Sequence, residues 1–229
     1  IAAWNYPLLI AVNVVVPAVL AGNSVAIKHS SLTPLCGRAF EDAFKFAGAP
    51  EGLVTALIME HQTTEKVIQS GLIQHLAFTG SVTGGRRVKT SVGSQFIKTG
   101  LELGGKDPAY IREDANVDKV IPAVMDGVFY NAGQSCCAVE RIYVHHTLFD
   151  TFLSGAIQYM NALNIGNPME ETTDLGPMAQ LSGVETAIAQ INHAKTKGAD
   201  VHYYSGNVPE ESHFLAPAIL SNVNHQMDI

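Results

Sequence analysis

Two adjacent cysteines, Cys136 and Cys137, lie behind a glycine in the stretch NAGQSCCAVER, Asn131–Arg141. A thiolate is a strong nucleophile, and a thiol's pKa, about 8.5 in a free peptide, falls at a helix N-terminus or beside positive charge. Buried cysteines serve equally well as small hydrophobes, so the pair reads either as a nucleophile or as packing. A carboxylate, Glu102 in LELGGK (Leu101–Lys106), stands 34 residues ahead of Cys136. Held among leucines, a carboxyl is desolvated, which raises its pKa and makes it a general base near neutral pH. The alternative is a glutamate on the solvent side of an alternating edge strand.

FTGSVTGG, Phe78–Gly85, follows a strand-like run and opens a helix-like one. In that context backbone N–H groups and the helix dipole hold phosphate, although many glycine turns bind nothing and the G-x-G-x-x-G spacing is absent. Lys28, closing the run SVAIK, is either a point charge for a ribose or phosphate or a solvated lysine. Asn5, in AWNYPL, precedes a proline that suits a first helical turn. It reads as a cap, and its amide can also donate to a developing oxyanion. His145 and His146 sit at a strand end with no cluster at ligand spacing, which points to structural histidines and no metal site.

The elements that must carry these residues alternate between strand and helix, as βαβ units and a mainly parallel sheet require. A helix is expected from Pro7 through Leu20, a strand at Ser24–Lys28, and an amphipathic helix opened by Thr33 and Pro34, with Phe40, Ala43, Phe44 and Ala47 on its apolar side. Leu53–Ile58 and His75–Thr79 read as buried strands, with TTEKVIQSG between them as a short capped helix. Beyond KTGLELGGKDP the expectation is a strand at PAYI, a helix at Val117–Tyr130, a strand at RIYVHH and a helix at Leu148–Leu163. A loop at GNPMEETTDLGPM, a helix at Val184–Lys197 and weak strands from Asp200 complete the chain. The change of character places a domain boundary near Gly104.

Bulk properties narrow the classes. With 229 residues and 47% hydrophobic content the chain can build a substantial core. The net charge of −7, without a basic run, argues against a nucleic-acid surface and leaves small molecules or proteins as partners. Three cysteines imply no disulfide framework and a reducing compartment, read as cytoplasmic. Leu8–Gly22 is shorter than the roughly 20 residues of a membrane span and is interrupted by Asn13 and Pro17, so a buried helix is expected there and no membrane partner. The chain opens on IAAWNYP with no Met or charged leader and ends on NHQMDI, and it reads as an internal piece of a longer protein.

Taken in order, AWNYPL, K-H-S-S-L-T-P, FTGS-x-x-x-G, LELGGK and GQSCCA resemble the aldehyde dehydrogenase superfamily over nearly the whole chain. The resemblance implies an α/β fold: residues 1–103 the later half of a Rossmann-like, parallel-sheet dinucleotide domain, residues 104–229 the first part of the α/β catalytic domain. It implies NAD or NADP as cofactor, an aldehyde as substrate and a full-length protein that is a homo-oligomer, dimer or tetramer. Carried over, Cys136 is the nucleophile and Cys137 a packed neighbour. Glu102 is the base that activates water, and Asn5 the amide that, with the backbone N–H of the nucleophile, holds the thiohemiacetal oxyanion. Hydride then leaves to nicotinamide and the thioester is hydrolysed to the acid. Lys28 matches the lysine at the adenosine ribose, Gly80 and Ser81 the turn at the pyrophosphate, and Trp4 and Ser31 belong to the same cofactor site.

Glu102 argues for hydrolysis over transfer to coenzyme A. Other positions depart from the pattern. Val14 and Asn13 stand where many members carry lysine and tryptophan, and Met59-Glu60-His61 replaces a glycine-bearing turn near the adenine. Ser31 stands where NAD-preferring members have a glutamate, which opens the pocket to a 2′-phosphate. The motif with the glutamate for the nicotinamide ribose is not in this chain. A cofactor-independent thiol esterase and a non-catalytic protein of the same fold are the rival readings.

Overall fold

Pro7 supplies a preset φ and lacks an N–H that the first helical turn would leave unpaired, so the chain enters α1 there and runs helically to Leu20. The computed structural model describes residues 1–211 and 213–229. It divides into two compact units, Ile1–Gly104 and Gly105–Ile229.

In the first unit β1 (Val25–Ile27) pairs in parallel with β2 (Val54–Ala56), and β3 (His75–Gly80) in parallel with β4 (Lys98–Leu103). The Ile1–Ala2 segment joins the two ladders. Ala2 forms a parallel bridge with His29, while Ile1 donates to Ala77 O and accepts from Thr79 N. The order in space is therefore β2, β1, Ile1–Ala2, β3, β4, all parallel. The chain steps outward from Ile1–Ala2 to β1 and β2, then returns to the other side of Ile1–Ala2 for β3 and β4. An open α/β sheet receives ligands at such a reversal, outside the carboxyl ends of the strands.

Helices α2 (Leu35–Phe46), α3 (His61–Gln69) and α4 (Val82–Val92) connect these strands. Ala11 and Val15 of α1 pack with Ile27 and Val54, and Ile68, Val88 and Val92 with Leu76 and Phe78. Three local expectations need correction. α1 is apolar all round, yet only one stripe is buried, and Leu8, Leu9 and Leu20 face outward. Thr33 does not cap α2: Pro34 occupies the N-cap position, and the Thr33 hydroxyl is buried with no hydrogen-bond partner. Helix α3 begins at His61, ahead of the threonines, because Glu60 already has the extended conformation of an N-cap and Thr64 bonds back to its carbonyl.

In the second unit β5 (Asp107–Ile111) runs parallel to β6 (Val139–Val144), and α5 (Val117–Phe129) and α6 (Phe149–Asn161) cover one face. Ile111, Met125, Phe152 and Ala156 form that core. Helix α7 (Leu181–Thr196) starts three residues before the expected Val184 and packs with an antiparallel pair, β7 (Asp200–Tyr203) and β8 (Ala218–Ser221), around Ala194, Ala199 and Met227. Among the described residues no helix is long and apolar enough to cross a membrane.

Candidate active site

Because the strands of the first unit are parallel, the residues that follow each one emerge on the same edge of the sheet. Trp4 and Asn5 follow Ile1–Ala2, Lys28 and Ser31 follow β1, Gly80 and Ser81 close β3, and Glu102 lies at the end of β4. Residues scattered over a hundred positions of sequence share one edge. Trp4 and Asn5 are half-buried, and the N-cap of α1 is Tyr6, so Asn5 stands one position before the cap.

Lys28 is the most unusual of these groups. It is 8% exposed, its ammonium donates to the carbonyl of His29 at 2.9 Å, and burial pulls its pKa below the ordinary lysine value. Among the described residues it makes no ion pair. A solvated lysine, the bland sequence reading, does not describe it. Lys28 lines a cavity of about 160 Å³ together with His29, Ser31, Pro34 and the Leu57–Met59 run. A buried cation beside a hydroxyl in an otherwise apolar pocket fits the polar edge of a nucleotide ribose and the apolar face of its base. Met59 of the Met59-Glu60-His61 departure is part of this wall, whereas Glu60 and His61 begin α3.

His29 itself went unread in the sequence. It is 4% exposed, and its Nε2–H donates to the carbonyl oxygen of Pro7 at 2.9 Å, which fixes the proton on Nε2. Only its buried position beside Lys28 hinted at a role, because its partner lies 22 residues away.

At the end of β3 the Ser81 side chain accepts from Gly84 N at 3.1 Å and caps α4. The first N–H groups of a helix have no intrahelical partner and face an incoming anion. Here the glycines have a second reason. A Cβ on Gly80 or Gly84 would come within 2.7 Å of the Phe78 ring, which lies under the turn. The turn is thus shaped by packing as well as by its open backbone.

Glu102 follows the second of its two sequence readings. Along β4 burial alternates strictly, with Thr99, Leu101 and Leu103 inward and Lys98, Gly100 and Glu102 outward. Neighbours on a strand point to opposite faces, so the flanking leucines enter the core and leave the carboxylate exposed. This is the edge-strand alternative read from the sequence, and a base role for Glu102 does not rest on burial among leucines.

The thiols belong to the second unit. Helix α5 ends at Phe129, and a 3₁₀ turn, Tyr130–Gly133, follows with Asn131, Ala132 and Gly133 all left-handed, at φ of 53°, 55° and 70°. Glycine adopts this conformation freely and asparagine tolerates it, but alanine does so at a cost of about 1–2 kcal/mol. Gln134 closes the turn, with its backbone N–H and its side-chain amide both donating to Asn131 O, at 3.1 and 3.0 Å. Cys136 and Cys137 follow after Ser135, and both are exposed. Cys137 is therefore not the packed neighbour expected from the sequence; Ala138, 3% exposed, takes that place. Gly105 runs against this loop, since a Cβ there would lie 3.6 Å from the Cys136 carbonyl. His145 Nδ1 shares a hydrogen bond with Thr147 Oγ1 at 2.9 Å, and its ring lies tilted at 42° to that of His146, with centroids 4.4 Å apart.

A model described as the aldehyde dehydrogenase family matches residues 1–229. The chain is 31% identical, over 98% of its length, to a succinate-semialdehyde dehydrogenase [NADP(+)] of Mycobacterium avium. It is 32% identical to a betaine aldehyde dehydrogenase of Brucella anthropi over all of its length. In each case it covers 48% of the relative, so the chain spans about half the length of the curated relatives it matches. A crystal structure of succinic semialdehyde dehydrogenase from Streptococcus pyogenes with NADP+ superposes with a TM-score of 0.93 at 29% identity, over 99% of this chain and 50% of that one. Sheet order, thiol loop and match along every residue agree: the chain belongs to the aldehyde dehydrogenase family.

Proposed function

We propose that the whole protein oxidises an aldehyde to a carboxylic acid with NAD or NADP, using Cys136 as nucleophile, Asn5 as oxyanion donor and Glu102 as the base for hydrolysis. The observation that carries this reading is the common carboxyl edge of the first unit's sheet. Asn5, Lys28, Ser31, Gly80, Ser81 and Glu102 lie along that edge, which includes the reversal of strand order where such sheets bind nucleotides.

The residues present fit the cofactor. Lys28 would hold the adenosine ribose from inside its cavity, Ser31 the ribose hydroxyl or a 2′-phosphate, the Gly80–Ser81 turn the pyrophosphate, and Trp4 would border the site. A serine at this place neither repels a second phosphate nor excludes a ribose hydroxyl, which supports use of NADP alongside NAD. When bound, the nicotinamide accepts the hydride that the substrate carbon gives up.

This chain's side chains do the rest. The exposed Cys136 thiolate adds to the aldehyde carbon, and the Asn5 amide together with the Cys136 backbone N–H holds the oxygen that gains charge. Once the carbon is a thioester, Glu102 takes a proton from water, whose oxygen attacks and releases the acid. An exposed carboxylate on the strand edge can exchange that proton with solvent. The reading extends to a homo-oligomeric protein, for which the outward-facing Leu8, Leu9, Phe46 and Phe96 provide apolar surface, and to the cytoplasm, on cysteine usage.

The test is a steady-state screen of the full-length protein on aliphatic, aromatic and semialdehyde substrates, with NAD and NADP in parallel. Cofactor reduction that vanishes in Cys136→Ser is the expected result. No reduction of either cofactor across the panel, or oxidation that survives Cys136→Ser, would sink the proposal.

A further inference from the structure

The thiol loop contains a residue whose side chain spans it, and its bonds run in two directions. Gln134 Nε2 donates to Asn131 O at 3.0 Å, within the left-handed turn. Its Oε1 accepts from the backbone N–H of Ala179 at 2.8 Å, across 45 residues of sequence. Ala179 belongs to the GPMA segment that follows the Asp174 loop. That segment is held in its turn, because Met178 N donates to His213 O and the His213 ring donates from Nδ1 to Met178 O.

The turn needs such a tie. Asn131 and Ala132 both sit in the left-handed region, a conformation that L-residues leave as soon as nothing opposes it. A turn that relaxed toward ordinary φ values would rotate every residue after it, and the thiol lies only three residues beyond Gly133. A carboxamide is suited to the position, since it offers one donor and one acceptor on a short, flat group. The donor satisfies the turn from inside, and the acceptor anchors the turn to a separate strand of chain.

We propose that Gln134 is a positioning residue: its carboxamide clamps the left-handed Asn131–Gly133 turn to the backbone of Ala179 and so sets the direction in which Cys136 presents its thiol. The proposal rests on the reading of Cys136 as nucleophile and adds a residue that touches neither substrate nor cofactor. Gln134 then ties the turn that precedes the thiol at both of its polar ends.

Two substitutions separate the bonds. Gln134→Met keeps length and removes both, whereas Gln134→Glu keeps the acceptor for Ala179 N–H and loses the donor to Asn131 O. In the full-length protein the alkylation rate of each cysteine by iodoacetamide is followed by mass spectrometry, beside kcat and KM for an aldehyde and the urea midpoint. Gln134→Met is expected to change the Cys136 alkylation rate and lower kcat by about tenfold or more each, the factor that corresponds to loss of two hydrogen bonds. Cys36 alkylation and KM stay within about twofold, and Gln134→Glu restores most of kcat. Ala179→Pro removes the other partner of the long bond, and its effect on kcat should not add to that of Gln134→Met.

Unchanged Cys136 alkylation and kcat in a folded Gln134→Met protein overturn the proposal. A uniform rise in alkylation of all three cysteines with a lowered urea midpoint overturns it too, because that is general loosening. The nucleophile and the positioning residue are tested by different outcomes. If Cys136→Ser retains aldehyde oxidation, the assignment of the nucleophile falls. If Cys136→Ser is inactive and Gln134→Met is unaffected, only the positioning role falls.

Discussion

His29 Nε2 donates to the carbonyl oxygen of Pro7 at 2.9 Å, so the end of β1 is tied to the first turn of α1, two residues after Asn5. The same ring lies near Phe40 and faces Gly37, where an added Cβ would sit 3.2 Å from Nδ1. A ring held at one edge and 4% exposed has nowhere to move.

Gly37→Ala is therefore expected to destabilise the protein by about 1 kcal/mol, despite the better helix propensity of alanine in α2. In a His29→Ala background the contact disappears, and the same substitution should stabilise by about 0.5–1 kcal/mol. Urea unfolding of the four proteins forms a double-mutant cycle, and additive effects would show that ring and glycine are not coupled.

Lys28 sets stability against binding. Burial lowers its pKa in the folded state, so the unfolded chain binds that proton more tightly. Stability then rises with pH as the alkaline range approaches the ordinary lysine value, and below that window the buried charge is a constant cost. Lys28→Met should raise the urea midpoint at neutral pH without cofactor, flatten the alkaline slope and weaken NAD(P) binding by about tenfold or more. A lower midpoint combined with unchanged KM for the cofactor would contradict both halves.

Glu102→Gln separates the two chemical stages. Removing the base should leave thioester formation intact and slow its hydrolysis by about 10²–10⁴-fold. Rapid mixing of the full-length variant with aldehyde and cofactor is expected to show a burst of reduced cofactor close to one per site, then slow turnover. Steady-state turnover equal to wild type would remove Glu102 from the mechanism.

The strain at Ala132 is measurable by itself. Its φ of 55° is relieved in Ala132→Gly, which should gain about 0.5–1 kcal/mol after the larger backbone entropy of glycine in the unfolded chain is subtracted. A stability loss in urea unfolding would mean that the alanine methyl has a packing role that outweighs its strain.

Most of the architecture is legible in the sequence, because it is written in local periodicity and punctuation. Pro7 and the apolar run after it mark α1, and the alternation of short apolar strands with amphipathic helices marks a parallel sheet. The candidate residues were legible for the same reason, as each sits in a short motif at the end of a strand or in a turn. Where a local pattern has two physical readings, neighbours in sequence do not choose between them. LELGG describes a carboxylate among leucines and equally one opposite them, and only strand pleat decided that Glu102 faces outward. Thr33-Pro34 resembles a cap and first turn, but Pro34 takes the cap position and the Thr33 hydroxyl is buried.

By itself the sequence determined the family, the alternation of elements and the residue types that chemistry requires, since these depend on neighbours within a few positions. Tertiary structure alone decided that Ile1–Ala2 lies between β1 and β3, that Lys28 is buried in a cavity, and that His29 reaches Pro7. It also decided that Gln134 reaches Ala179. Those bonds join residues 22 and 45 positions apart, and the free energy that selects them comes from burying and pairing polar groups that only the folded chain brings together.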